Sequence, residues 1–148
     1  MKSEKQHIWL FNHYATTHSY PGGTRHFDMA LKLVELGFDV TIFASSFHYV
    51  LLQETQIYEK RKWKEEMVEG VRFCWLKTTP YKRNDWRRLI NMFSYYSRAI
   101  EAGKKMMLKH RPDVIIGSTV HPFAALAALN LSNKDSPFIF EIRDLWPQ

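Results

Sequence analysis

Short, almost unbroken apolar runs alternate along this chain with segments whose apolar residues recur at helical spacing. The first run, residues 7–12, reads HIWLFN, which is typical of a strand buried on both faces. Because helical crossovers separate most of the runs, the pattern predicts a Rossmann-like, doubly wound α/β domain with a mostly parallel sheet. The predicted order is β-α-β-β-α-β-α-β, with strands at 7–12, 39–45, 70–77, 114–117 and 137–143, and helices ending at Gly37 and spanning 85–110 and 122–131.

Length and cysteine content narrow the class of protein. We expect one domain from 148 residues, with the irregular, charge-rich segment 46–69 forming an excursion at the sheet edge rather than a linker. Cys74 is the only cysteine, which excludes an internal disulfide and a cysteine-rich zinc site and fits a reducing compartment. Residues 1–6 lead into an apolar run too short to span a membrane, without a cleavage site, so we expect a cytoplasmic protein.

One segment carries the whole net surplus of positive charge of the chain. The formal net charge is +6, and residues 81–111 hold nine Lys and Arg against only Asp85 and Glu101. The remainder is therefore close to neutral. A basic patch confined to one segment of an otherwise balanced chain favours a polyanionic surface or ligand over general solubility.

The loop between the first predicted strand and helix, residues 18–26, reads HSYPGGTRH. In open α/β sheets, ligands bind beyond the carboxyl ends of the strands, near the point where the strand order reverses. Gly22 and Gly23 permit close approach of a ligand to the main chain, Thr24 is a candidate N-cap, and Arg25 lies in the first turn. The loop is either a glycine turn that lets strand and helix pack or a cradle for an anion, and at this point both readings stand.

Two later strands end in polar residues. The fourth predicted strand runs into GSTVHP, with Ser118 and His121, and the fifth into EIRDLWP, with Arg143 and Asp144. Singly, His121 suits a helix cap, and Arg143 with Asp144 suits a local ion pair. Because the carboxyl ends of parallel strands meet at one edge, we expect these residues to converge with the two glycines.

These motifs resemble, in order and spacing, the N-terminal half of bacterial family 4 glycosyltransferases. The residues that carry the likeness are HYATTHSYPGGTRHFDMA, ELGFDVTIFASSFH, EGVRFCWLKTTPY, STVHPFAALAAL and FEIRDLWPQ. They cover nearly the whole chain except residues 46–69. The resemblance implies the GT-B fold and anomeric retention, in enzymes that build capsules and lipid-linked surface polysaccharides. It also implies that the C-terminal, donor-binding domain lies outside these residues, so residues 1–148 form an incomplete acceptor-side domain that we expect to be inactive alone.

The resemblance assigns roles to matching positions. The loop at Gly22 and Gly23, with Thr24 beside it, is expected to contact the diphosphate of a nucleotide-sugar donor, and His121 to reach the transferred sugar or its phosphate as the catalytic residue. No metal or cofactor is implied, because backbone amides, helix N-termini and basic side chains stabilise the departing diphosphate. Contacts to the acceptor or a phosphate are expected from His18, Arg25, Ser118, Arg143 and Asp144.

The long basic helix has an apolar side. Trp86, Leu89, Ile90, Phe93, Tyr96, Ile100 and Met107 share one face and are predicted to pack on the sheet. Basic residues lie beside it and are predicted to bind an anionic membrane or a lipid-linked saccharide acceptor, placing the protein on the inner face of the plasma membrane. This predicted patch comprises Lys82, Arg83, Trp86, Arg87, Arg88, Arg98, Lys105 and Lys109.

Other classes fit less well. A dinucleotide-dependent oxidoreductase shares the architecture, but the first loop lacks G-x-G-x-x-G and the second strand ends in Phe43, Ala44 and Ser45 without an acidic residue. No P-loop is present, and no helix-turn-helix or zinc motif supports nucleic-acid binding. A non-catalytic subunit that docks a separate donor-binding chain at the membrane remains an alternative.

Overall fold

The computed structural model describes residues 5–143, which form a sheet covered by helices on both sides. The elements follow the predicted order, with three additional short or edge strands. They are β1 His7–Phe11, α1 Arg25–Glu35, β2 Asp39–Ser45, β3 Phe47–His48, β4 Gln53–Glu54, β5 Trp63–Val68, β6 Val71–Leu76, α2 Trp86–Met107, β7 Val114–Ser118, α3 Pro122–Leu131 and β8 Phe138–Glu141.

The main sheet has six strands in the order β5-β6-β2-β1-β7-β8. All neighbours are parallel except β5 and β6, which form an antiparallel pair at one edge. The chain leaves β1 toward β2 on one side and later returns to place β7 on its other side. The strand order therefore reverses between β1 and β7, which confirms the predicted doubly wound fold and puts the loops after these two strands at the reversal point.

Successive side chains of the central strand β1 point alternately into two separate hydrophobic cores, one on each side of the sheet. Trp9 and Phe11 point to the side covered by α2 and α3, whereas Ile8 and Leu10 point to the side covered by α1. All four are buried, as the unbroken apolar run predicted. Gly117 in β7 allows α3 to cross close to the sheet, because a Cβ there would lie 2.8 Å from the Cα of Ala125.

The irregular segment 46–69 contains β5, an edge strand of the main sheet, which confirms the prediction that this segment forms an excursion at the sheet edge. β5 and β6 are joined by a tight turn at Glu69 and Gly70, whose φ angles are +50° and +86°. Positive φ at both positions is typical of the two-residue turn that matches the twist of an antiparallel pair. The strand itself was not predicted, because three of the six residues of WKEEMV are charged and half of the six are exposed.

The predicted buried face of α2 is wrong at its N-terminal end. Trp86, Leu89, Ile90 and Phe93 are 42–62% exposed, while Tyr96, Ile100 and Met107 are only partly buried against the core. Small residues allow the helix to approach its neighbours on a different face, and Gly103 lies directly against Leu131 of α3. The buried residues are Asn91, Met92, Tyr95, Ala99, Ala102, Gly103 and Met106.

The two borders of the sheet differ in chemistry. β5 carries Lys64, Glu65 and Glu66, whereas β8, which forms the other border among residues 5–143, reads FIFE with Ile139 and Phe140 about half exposed.

The longest helix of the described chain is α2, and no helix between residues 5 and 143 is both long and apolar enough to cross a membrane.

Candidate functional site

The glycine loop lies at the carboxyl edge of the sheet, between the end of β1 and the start of α1. Gly22 has φ +126°, a conformation that favours glycine, and a Cβ at this position would also lie 3.0 Å from the Tyr49 hydroxyl. Gly23 has open space on the side where a Cβ would stand. Thr24 occupies the N-cap position but caps nothing, because its hydroxyl donates to Asp28 at 2.8 Å.

A cavity of about 150 Å³ opens beside this loop. Residues from five separate parts of the chain line this cavity, which shows that the predicted convergence of the glycine loop and Arg143 occurs at the sheet edge. Its lining residues are Tyr14, Gly23, Tyr49, Arg88, Val120 and Arg143. Arg88, which was predicted to belong to the membrane patch, therefore faces this cavity.

Glu141, at the end of β8, ties the last strand to the first helix. Its carboxylate accepts from Arg25 and from His26 Nε2, both at 2.6 Å. Asn12 Nδ2 donates to His26 Nδ1 at 2.9 Å, so the neutral imidazole carries its proton on Nε2. Arg25 thus has an internal carboxylate partner. The bonds from Arg25 and His26 to Glu141 hold the start of α1, and with it the glycine loop, against β8.

His121 caps α3 and bonds to a second buried histidine. Its Nδ1 accepts from the Phe123 amide at 3.3 Å, which leaves the proton on Nε2, and this N–H donates to His13 Nδ1 at 2.8 Å. His13 then carries its own proton on Nε2, on the side of Asn91, whose side-chain nitrogen donates to the Thr79 carbonyl at 2.7 Å. Thus both ring nitrogens of His121 are engaged within the protein.

Burial sets the protonation of these groups. Burial lowers the pKa of His121 to about 4 and that of His13 well below its ordinary value, so both rings are neutral at pH 7. Burial also lowers the pKa of His26 despite the adjacent carboxylate. For Glu141, burial is the largest influence and acts to raise the pKa, but the hydrogen bonds from His26 and Ser118 and the nearby positive charge of Arg25 together outweigh it, so the pKa lies below its usual value.

The remaining predicted site residues have varied positions. His18 Nε2 lies 2.6 Å from Asp28 on the exposed side of the loop. Ser118 is buried at the end of β7, next to Glu141, and Asp144 lies outside the described residues. Between residues 5 and 143, no group of three His, Cys, Asp or Glu side chains is arranged to hold a metal ion.

The predicted membrane patch divides between the two ends of α2. Lys82, Arg83, Trp86 and Arg87 are exposed at its N-terminal end. At the other end Lys105 lies 4.9 Å from the Trp63 ring, and Lys105 and Lys109 line a basic groove against β5. Arg98 lies 3.6 Å from Glu101, which also pairs with Lys62. Because α2 has 22 residues, the two ends are about 30 Å apart.

Several members of the site were missed from the sequence. Asn12 and His13 follow β1 directly, and their polar character at the end of a buried strand was an available signal. Asn91 gave none, since it lies within α2 and reaches the site only through the packing of that helix. His26 belongs to the highlighted segment 18–26 but was given no role of its own.

Comparison with known proteins identifies the family. The model of the glycosyl transferase 4-like domain matches residues 22–148, and the chain belongs to this family. No curated protein matches the chain.

Two solved structures share the fold. A sucrose-phosphate synthase from Thermosynechococcus elongatus superimposes with a TM-score of 0.60 at 15% identity, covering 92% of this chain and 32% of the synthase. The C-terminal domain of a hydrogenase from Pyrococcus furiosus superimposes with a TM-score of 0.59 at 16% identity, covering 95% of each chain. The chain spans about a third of the synthase, and at these identities the likeness concerns the fold alone.

Proposed function

We propose that this chain is the acceptor-side, N-terminal domain of a retaining glycosyltransferase that moves a sugar from a nucleotide-diphosphate donor to an acceptor. The observation that carries the proposal is the meeting of the glycine loop, Arg143 and the His121 turn at the reversal point of the sheet, in a member of the glycosyl transferase 4-like family. Ligands of open α/β sheets bind at this point.

The donor diphosphate is assigned to the loop of Gly22, Gly23 and Thr24. Gly23 leaves the main chain open to a ligand, and the first turn of α1 has no side-chain cap to occupy its amides. Helix N-terminal amides favour phosphate oxygens, and they would stabilise the diphosphate as it departs. Acceptor or phosphate contacts are assigned to His18, Arg25, Ser118, Arg143 and Asp144.

His121 is assigned to the transferred sugar or its phosphate. With a pKa of about 4 it acts at pH 7 as a neutral hydrogen-bonding group and not as a cation. Its Nε2–H faces His13, so direct donation to a ligand requires exchange of that hydrogen bond. The ring also places the start of α3 next to the site, because it caps that helix.

The reaction is tested on the full-length protein that carries these residues. Incubated with a panel of nucleotide sugars and lipid-linked acceptors, it should transfer one sugar, and NMR of the product should show the anomeric configuration of the donor. Residues 1–148 alone should give no turnover. Inversion of configuration, or turnover by residues 1–148 alone, would contradict the proposal.

The acceptor is proposed to be lipid-linked, in the synthesis of a surface polysaccharide at the inner face of the plasma membrane. Support comes from the N-terminal end of α2, where Trp86, Leu89 and Phe93 are each more than half exposed beside Arg83 and Arg87. Exposed apolar side chains rimmed by cations suit the headgroup region of an anionic bilayer. Each basic residue near such a surface contributes about 1 kcal/mol.

Vesicle flotation tests this surface. The chain should float with vesicles containing anionic lipid, less so at high salt, and K82Q/R83Q/R87Q should weaken binding by up to about 100-fold. The variant K104Q/K105Q/K109Q removes the same charge from the other end of α2 and should weaken binding much less. Equal losses in the two variants, or equal binding to neutral vesicles, would contradict docking through the N-terminal end.

The exposed apolar side chains also favour a second candidate, a non-catalytic subunit that docks a separate donor-binding chain at the membrane. Anionic-vesicle binding by a full-length protein that turns over no nucleotide sugar would favour this alternative.

A further inference from the structure

Asn91 lies on the packed face of α2, next to Met92 and close to Tyr95, where an apolar side chain would fill the same space. It is only 1% exposed, and a buried amide costs free energy unless its polar atoms find partners. Its Nδ2 donates to the Thr79 carbonyl at 2.7 Å and to the Thr78 hydroxyl at 2.9 Å. Because a carbonyl can only accept, the amide nitrogen is fixed on this side and Oδ1 on the other.

The Oδ1 side of this amide is next to His13. Although burial dominates and lowers the pKa of His13, the Asn91 side chain acts to raise it, as a hydrogen-bond acceptor does. Among residues 5–143, Asn91 Oδ1 and His13 Nε2 are both buried and neither has another partner. An acceptor on this side calls for a proton on His13 Nε2, which leaves Nδ1 free to accept from His121 Nε2 at 2.8 Å.

The opposite end of this series begins at a main-chain amide. The Phe123 N–H can only donate, and it donates to His121 Nδ1 at 3.3 Å, so the proton of His121 belongs on Nε2. Two main-chain groups, one a pure donor and the other a pure acceptor, therefore impose the same direction on everything between them. We call this series the histidine–asparagine chain; it comprises the Phe123 amide, His121, His13, Asn91 and the Thr79 carbonyl.

Aromatic packing holds the rings of this chain in place. His13 stacks on Tyr14 at 4.4 Å and on Tyr95 at 4.5 Å, with interplanar angles of 26° and 11°. His121 stands edge-on to His13, at an interplanar angle of 87°. The orientation of both rings is thus determined by packing, and the position of the proton on each ring is determined by the hydrogen bonds at the two ends.

We propose that Asn91 and His13 are positioning residues that act through the histidine–asparagine chain to keep the proton of His121 on Nε2. Nδ1 of His121 is committed to the cap of α3, so Nε2 is the nitrogen that a ligand can use. The chain makes this nitrogen a hydrogen-bond donor, suited to an oxygen of the sugar or phosphate, and such an oxygen replaces His13 as acceptor without any change of protonation. The inference deepens the proposed function and rests on it for the contact between His121 and the reacting group.

The histidine tautomers test the chain without any turnover. NMR of the ring nitrogens is recorded at pH 7 on the full-length protein with isotope-labelled histidine, and the signals are assigned with H13L and H121Q. In the parent, both rings should carry their proton on Nε2 alone. N91L removes the acceptor next to His13, so both rings should move to the averaged signals of mixed tautomers. N130L changes an exposed asparagine of α3 outside the chain and should leave both rings unchanged.

Kinetics of the same variants test whether the chain matters to the reaction. N91L and H13L should lower kcat by about fivefold, the loss expected for one hydrogen bond, while KM for the nucleotide sugar changes less than about twofold. The side chain of H13Q can both accept and donate, so this variant should recover most of the kcat that H13L loses. N130L should keep the parent values.

A purely structural role gives a different result. It would lower the melting temperatures of N91L and H13L without changing the tautomer of His121 or the kcat of the folded enzyme, and that outcome would overturn the proposal. A parent in which His121 carries its proton on Nδ1 would overturn it as well. If N91L fails to fold, H13L and H13Q decide, and equal kcat in these two would count against the chain. Parent tautomers as expected in a protein that transfers no sugar would support the chain and contradict the proposed function alone.

Discussion

Replacing Gly117 with valine is expected to destabilise the domain by about 3 kcal/mol or more. The added Cβ would lie 2.8 Å from the Ala125 Cα, 2.9 Å from the Ala128 Cβ and 2.9 Å from the Phe138 ring. Since the first of these is backbone, relief requires α3 to move as a unit away from the sheet. Thermal melting should show a loss of about 2–4 °C for each kcal/mol.

The matched control is Gly23→Ala, because a Cβ at Gly23 meets no atom within 4 Å. It should melt close to the parent chain. A Gly117→Val chain that melts like the control would mean that α3 does not pack on β7 as described. Because His121 immediately precedes α3, movement of the helix would also displace the candidate site.

Acid is expected to unfold the domain through its buried histidines. The pKa of His121 falls to about 4 because of burial, against an ordinary value near 6.5, and that of His13 also lies well below its ordinary value. Between these pH values the unfolded chain binds protons that the folded chain refuses, so stability falls as the pH drops from about 6.5 to about 4. His121 alone accounts for about 3 kcal/mol of this loss.

Urea midpoints measured from pH 7.5 to 4 test the expected loss. The double variant H13Q/H121Q should be less stable at pH 7, because it lacks the buried pair, and its midpoint should depend less steeply on pH. If the parent and the double variant lose stability in parallel, the acid response arises from other groups. The depressed pKa of Glu141 adds a loss in the same direction, at the lower pH values where its carboxylate becomes protonated.

The strand pattern was predictable because the chemistry of each strand is local. An unbroken apolar run such as residues 7–12 buries both of its faces when it forms an inner strand of a parallel sheet. The alternation of such runs with helices along the chain therefore predicts a parallel sheet that binds ligands at the carboxyl ends of its strands. The edge strand β5 was missed, since half of its surface faces water and its partner is decided by the turn at Glu69 and Gly70.

The face of α2 was predicted wrongly for a physical reason. A helical wheel weights large apolar side chains, but the packed face of this helix is defined by Ala99, Ala102 and Gly103, which allow close approach to β-strands and α3. The large residues Trp86 and Phe93 are left exposed. Similarly, the direct contact between His13 and His121 depends on tertiary structure, because 108 residues separate them along the chain.

The unequal borders of the sheet have a consequence for self-association. Charged side chains on β5 discourage any further strand from pairing there, whereas β8 presents a short apolar strand with Ile139 and Phe140 half exposed. Among residues 5–143, strand addition should therefore begin at β8 rather than at β5. A lysine introduced at position 140 would give β8 a charged side chain that opposes strand pairing, as the charged side chains of β5 do at the other border.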